Sequence, residues 1–92
     1  MKKKIVILGS TSSIGKSLLS IINKDKKNFK IELLTANTNY RGLINQAKQF
    51  NVKNLIITDP DSFKIAKKFC KNKKINISQN FENLKKNFTK QN

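Results

Sequence analysis

Between two glycines the chain reads Gly9-Ser10-Thr11-Ser12-Ser13-Ile14-Gly15, directly after the apolar run Ile5-Val6-Ile7-Leu8 and directly before a helix-periodic segment. A strand, a small-residue turn and a helix in that order make an anion site. The helix N-terminus presents unpaired N–H groups and a partial positive charge, and small residues let a phosphate approach closely enough to use them. Thr11 and Ser13 add hydroxyls, while Gly9 and Gly15 permit a tight turn and close packing. A second polar cluster, Asn37-Thr38-Asn39, follows another apolar run. Dinucleotide folds that select an unphosphorylated ribose usually place an acid here, and that acid would repel a 2′-phosphate. Ala36-Asn37-Thr38-Asn39 holds no acid and Arg41 lies close behind, so NADPH is expected over NADH. Asn37 and Asn39 also have a plainer reading as turn formers that tolerate left-handed backbone.

Other chemistries lack their residues. The chain has no histidine, and Cys70 is its one cysteine, so neither a zinc cluster nor a Cys-His pair can be assembled. Cys70 reads as a small buried apolar residue. The acids Asp25, Glu32, Asp59, Asp61 and Glu82 are scattered, and Asp59 and Asp61 are best read as helix-start residues. No catalytic or metal-ligating set is expected.

The elements that must hold the two polar loops can be read from periodicity. A first helix over 13–23 places Ile14, Leu18, Leu19, Ile21 and Ile22 on one face. A non-periodic loop over 24–28 leads to a second strand over 29–36, whose Leu33-Leu34 pair suits a sheet buried on both faces. A second helix over 40–50 turns Leu43, Ile44, Ala47 and Phe50 inward, and Asn51-Val52-Lys53 closes it. A third strand over 55–58 stops at Asp59-Pro60, a cap followed by a proline suited to the first helical position. The third helix, to about residue 71, is expected to bury Ile65, Ala66, Phe69 and Cys70. A short strand at Ile75-Asn76-Ile77 and a weak helix marked by Phe81, Leu84 and Phe88 complete the pattern. Strands alternating with helices through short loops imply α/β: a Rossmann-like parallel sheet with helices on both faces, right-handed crossovers, and only part of the full sheet present.

Which phosphate loop this is depends on spacing. Gly15-Lys16-Ser17 satisfies the end of the P-loop pattern G-x-x-x-x-G-K-[ST], but counting back puts Ser10 where the first glycine belongs, and Lys16 reads as an ordinary solvent-facing lysine. The short-chain dehydrogenase turn matches at Leu8-Gly9 and Ser13-Ile14-Gly15 and departs at two marker positions. The third turn, G-S-T-G-S-I-G after a strand ending in Leu, is that of the 1-deoxy-D-xylulose-5-phosphate reductoisomerase family, and the chain resembles it everywhere but Ser12. The resemblance continues through Gly15-Lys16-Ser17, Leu19, Ile21 and Ile22, through Phe29-Lys30-Ile31 and Leu34-Thr35-Ala36-Asn37-Thr38-Asn39, and on through Gln46 to Phe50, Val52-Lys53 and Leu55 to Asp59. It fades after about Lys71.

The resemblance implies an NADPH-binding domain in which Gly9, Thr11, Ser12, Ser13, Ile14 and Gly15 form the pyrophosphate loop and Asn37, Thr38 and Asn39 the 2′-phosphate loop. Two residues depart from the family. Ser12 replaces a glycine and would crowd the cofactor if that position needs positive φ; Thr38 stands where relatives often carry Lys. Both are expected to weaken binding, and Ser12→Gly to restore some of it. The resemblance also implies the family's reaction, the isomerisation and reduction of 1-deoxy-D-xylulose 5-phosphate to 2-C-methyl-D-erythritol 4-phosphate in isoprenoid precursor synthesis. That reaction uses NADPH and a divalent metal, Mg or Mn, and the resemblance implies a homodimer at full length. The family's metal and phosphosugar residues lie far downstream, so residues 1–92 are expected to be the amino-terminal part of the cofactor domain, inactive alone.

Composition sets the remaining expectations. Against 5 acids stand 20 Lys plus Arg, a net charge of +15, but all except Arg41 are Lys, spread over every element and accompanied by abundant Asn and Ile. With phenylalanines at core-like helical positions rather than interleaved with lysine on a strand, specific nucleic-acid binding is not expected. Neither is a membrane segment, and the basic start runs straight into a strand rather than a signal-peptide core, which reads as cytoplasmic. The alternatives are a truncated short-chain dehydrogenase-like NAD(P)-binding domain and a free-standing nucleotide-binding module.

Overall fold

A computed structural model describes residues 2–71 and 74–80. The elements are β1 (Lys3–Ile7), α1 (Ser13–Asn23), a 3₁₀ turn (Lys26–Asn28), β2 (Phe29–Ala36), α2 (Tyr40–Phe50), β3 (Asn54–Ile57), α3 (Pro60–Phe69) and β4 (Asn76–Ser78). The weak helix expected around Phe81, Leu84 and Phe88 lies outside the described residues.

The four strands form one parallel sheet in the order β1-β2-β3-β4. Successive parallel strands laid down in one direction, each after a right-handed crossover, put their helices on the same side, so the three described helices cover one face rather than the two expected from the sequence. Packing agrees. Leu19 and Ile22 of α1, Leu43, Ile44 and Ala47 of α2, and Ala66 of α3 share one cluster with alternate strand residues Ile7, Leu34, Ala36, Leu55, Ile57 and Ile77. Each such Leu or Ile removed from water contributes about 1.5–3 kcal/mol. The opposite face is buried at its centre too, with Leu33 and Ile56 at 2% and 0% exposure in a separate cluster. The sheet is thus buried on both faces there, as the Leu33-Leu34 pair predicted.

The pairing register slips between Ile5 and Val6, whose partners are Ile31 and Leu33. Glu32 is the extra residue. Its half-buried carboxylate lies 4.0 Å from Lys4 and 3.9 Å from Lys30, both exposed, at the long limit of ion pairing where little is contributed.

Two helix faces differ from the sequence expectation. On α1, Leu19 and Ile22 turn inward with Gly15, whereas Ile14, Leu18 and Ile21 are 77%, 45% and 64% exposed. At intervals of four and three residues these form a second stripe, so the five apolar residues divide between two faces. On α3, Ala66 and Cys70 are buried as expected, but Ile65 and Phe69 are 48% and 61% exposed; Ser62, buried, and Phe63, half-buried, take the inward positions instead. A helix of about three turns over the sheet has room inside for one narrow stripe.

Among the described residues β1 is an edge strand, with Val6 half-exposed and Leu8 more so. No helix among the described residues is long and apolar enough to cross a membrane.

Candidate nucleotide-binding site

Both polar loops lie at the carboxyl ends of neighbouring strands, where open α/β sheets bind their ligands. Thr35, at the end of β2, joins them. Its hydroxyl accepts from the Gly9 N–H at 2.8 Å and its carbonyl accepts from the Ser10 N–H at 2.9 Å. Gly9 has φ +64°, the left-handed conformation that turns the chain back toward α1. Gly15 is required for a different reason. A Cβ there would sit 2.5 Å from the Gly9 carbonyl oxygen and 2.5 Å from Ser10 Cα, so only a glycine lets α1 begin against the turn.

Ser12 is the N-cap of α1, at φ −73° and ψ 169°. Its hydroxyl donates to the Gly9 carbonyl at 2.6 Å and accepts from the Gly15 N–H at 3.2 Å. The position needs no positive φ, so the crowding expected from a non-glycine residue does not follow from the backbone. Serine here is a capping residue. The Ser12 N–H donates to Gly9 and the Lys16 N–H to Ser12, which accounts for most donors of the turn. The N–H groups of Thr11, Ser13 and Ile14 make no hydrogen bond among the described residues. They are free donors at the positive end of α1, where an anion is favoured.

In the second loop, side chains replace backbone. The Thr58 hydroxyl donates to Asn37 Oδ1 at 2.7 Å, and Asn39 Oδ1, the N-cap of α2, accepts from the Gly42 N–H at 3.0 Å. With each amide oxygen engaged internally, the Nδ2 groups are left as neutral donors on an exposed loop. The Asp59 N–H fixes the Asn37 carbonyl at 3.1 Å. Asp59 brings an acid near the loop, but its carboxylate caps α3, accepting from the Ser62 N–H at 3.0 Å and hydroxyl at 2.9 Å. Those two hydrogen bonds, the backbone one foremost, hold its carboxyl below the usual value. Thr38 is exposed, and the Arg41 guanidinium lies 5.9 Å from the Tyr40 ring centre.

The structure therefore brings Gly9, Thr11, Ser12, Ser13, Ile14 and Gly15 into one turn and sets Asn37, Thr38 and Asn39 at the adjacent strand end. Sequence reasoning gave no role to Thr35, Thr58, Gly42 and Gln46. A glycine in the first turn of a helix and a glutamine inside an apolar stripe were the signals available; Gly42 leaves room for the Asn39 amide, which a Cβ would meet at 2.8 Å. No group of three His, Cys, Asp or Glu that could hold a metal ion occurs among the described residues.

A parallel sheet with a glycine-bounded anion turn after its first strand and an acid-free loop after its second defines a dinucleotide-binding domain of Rossmann type. The sequence model of 1-deoxy-D-xylulose 5-phosphate reductoisomerase matches residues 5–91. The protein of that name from Pelagibacter ubique is 59% identical over 90 residues, 98% of this chain but 23% of that protein; one from Clostridium botulinum is 40% identical over 79% of the chain and 19% of its own length. Among solved structures, the Zymomonas mobilis enzyme in complex with NADPH superposes with a TM-score of 0.79 at 29% identity, over 85% of this chain and 21% of that one. A reductoisomerase in complex with NADPH, fosmidomycin and magnesium gives 0.80 at 26% identity, over 89% and 20%. The chain belongs to the 1-deoxy-D-xylulose 5-phosphate reductoisomerase family, and it spans less than a quarter of the length of these relatives.

Proposed function

We propose that this chain is the NADPH-binding portion of a 1-deoxy-D-xylulose 5-phosphate reductoisomerase. The observation that carries this reading is the set of unpartnered N–H groups at Thr11, Ser13 and Ile14, beside an acid-free loop with two amide groups whose oxygens are already engaged. The backbone donors would hold the pyrophosphate without adding charge, and Gly15 keeps the turn close to the helix end. Asn37 and Asn39, with Thr38 between them, would receive the 2′-phosphate. NADPH supplies a hydride for reduction of the isomerised phosphosugar. This chain's own part is to bind and orient the cofactor at the strand ends; its described residues offer no donor set for the divalent metal, and no step through a metal is assigned to them.

The family resemblance further supports a longer protein in which residues 1–92 are the amino-terminal part of the cofactor domain. The β1 edge and the outer α1 stripe of Ile14, Leu18 and Ile21 are the natural junction with the rest of the sheet. The same resemblance supports a homodimer acting in the cytoplasm on 1-deoxy-D-xylulose 5-phosphate, with no specific nucleic-acid or membrane partner.

Titration of the chain with NADPH, NADH and ATP, followed by ligand fluorescence or heat at moderate salt to suppress attraction to the cationic surface, tests the reading. Preference for NADPH that survives added salt is expected. Binding of ATP alone would replace this reading with a nucleoside-triphosphate site built around Lys16.

A further inference from the structure

We propose that Gln46, on α2, is a positioning residue that keeps the anion donors of the first loop free. This inference rests on the cofactor reading above and extends it to a residue outside both loops. Gln46 Nε2 donates to the Ser10 carbonyl at 2.9 Å across 36 residues of sequence, and Ser10 itself is fully buried. In an α-helix, each N–H bonds the carbonyl four residues earlier. Ser13 would then reach for Gly9, and Ile14 for Ser10. Both carbonyls are taken from elsewhere: Gly9 accepts from Ser12, through its N–H and its hydroxyl, and Ser10 accepts from Gln46. Ser12, at ψ 169°, ends the helix at the turn, and the Gln46 donor fixes the Ser10 carbonyl there, so that the Ser13 and Ile14 N–H groups stay available for a phosphate.

The rest of the Gln46 side chain argues that stability did not select it. Its Oε1 is buried with no hydrogen-bond partner, a cost to folding. The position lies three residues after Leu43 on the inward stripe of α2, where an apolar side chain would pack without that cost. A glutamine is needed there only if its donor has work to do at Ser10.

The test uses the 92-residue chain with Gln46→Met and Gln46→Glu, both close in shape and both without a donor. NADPH, which carries a pyrophosphate, is compared with 2′-AMP, which does not. Affinity for NADPH is expected to fall about fivefold, the loss of one oriented hydrogen bond, while that for 2′-AMP stays within about twofold. In the unliganded variants the Ile14 amide is expected to exchange with solvent more slowly, because the released Ser10 carbonyl becomes its partner. Equal loss of both ligands, or loss of cooperative unfolding in both variants, overturns the proposal in favour of a structural role. Unchanged NADPH affinity with unchanged Ile14 exchange overturns it while leaving the cofactor reading intact. A wild-type chain that binds neither ligand overturns the cofactor reading and this role with it.

Discussion

The two polar loops offer free donors made of different materials. In the first, the Ser10 and Ser12 side chains are engaged within the protein, and the donors left over are the backbone N–H groups of Thr11, Ser13 and Ile14 together with the Thr11 and Ser13 hydroxyls. In the second, the backbone is anchored and the donors left over are the side-chain amides of Asn37 and Asn39. A backbone donor persists through any substitution that preserves the turn, whereas a side-chain donor goes when its residue goes. The first loop should therefore tolerate changes of side chain and fail on changes of shape; the second should do the reverse.

Gly15→Ala attacks shape, and the largest effect is expected there. The added Cβ meets backbone on the Gly9 and Ser10 side, which has no flexible end to move away. A loss of about 1–3 kcal/mol in urea unfolding is expected, with NADPH binding reduced beyond detection. If Gly15→Ala folds and binds as wild type, the shape-dependence of the first loop is wrong. Asn39→Ala attacks chemistry. It removes the α2 cap, worth about 1 kcal/mol, and the donor proposed for the 2′-phosphate, so NADPH affinity should drop about tenfold while NADH affinity changes little. Equal losses for the two nucleotides would show that Asn39 serves only as a cap.

Acid should reach the second loop first, through Asp59. Its carboxyl is held below the usual value by the Ser62 hydrogen bonds. A lowered carboxyl stabilises the fold above the unfolded-state value of about 3.9, and that contribution is lost as pH falls through the lower folded-state value. Stability measured from pH 7 downward should hold until the carboxylate range and then decline, and Asp59→Asn should flatten that part of the curve. Thr38→Lys should act in the other direction. A cation beside the 2′-phosphate is expected to strengthen NADPH binding by about threefold at low salt, less at high salt, and to leave NADH unaffected.

The difference between the loops also explains what could be read in advance. The second strand and the first two helices were legible to the residue, because long periodic segments and caps such as Asp59-Pro60 are local signals. The third strand falls one residue earlier than expected, at Asn54–Ile57, and α3 stops at Phe69. Which of two apolar stripes on α1 faces the sheet was not legible, since Ile14-Leu18-Ile21 and Gly15-Leu19-Ile22 have the same spacing and only the tertiary fold decides between them. The loop residues themselves stood out, whereas their supports did not. Thr35, Thr58 and Gln46 act across 21 to 36 residues of sequence, a distance at which no periodicity connects them to the loops.

Ser12→Gly is the smallest change and the sharpest discriminator. Sequence resemblance treats Ser12 as a defect, to be relieved by restoring glycine. The structure gives it φ −73°, where a Cβ costs nothing, and makes its hydroxyl the cap of α1. Replacing a capping serine by glycine costs only a few tenths of a kcal/mol. Stability should fall by about that much, and NADPH affinity should change less than about twofold, because Thr11, Ser13 and Ile14 present their N–H groups in either variant. A tenfold gain would mean that the hydroxyl occupies space the pyrophosphate needs. The first loop would then depend on side chains after all, and its contrast with Asn37 and Asn39 would disappear.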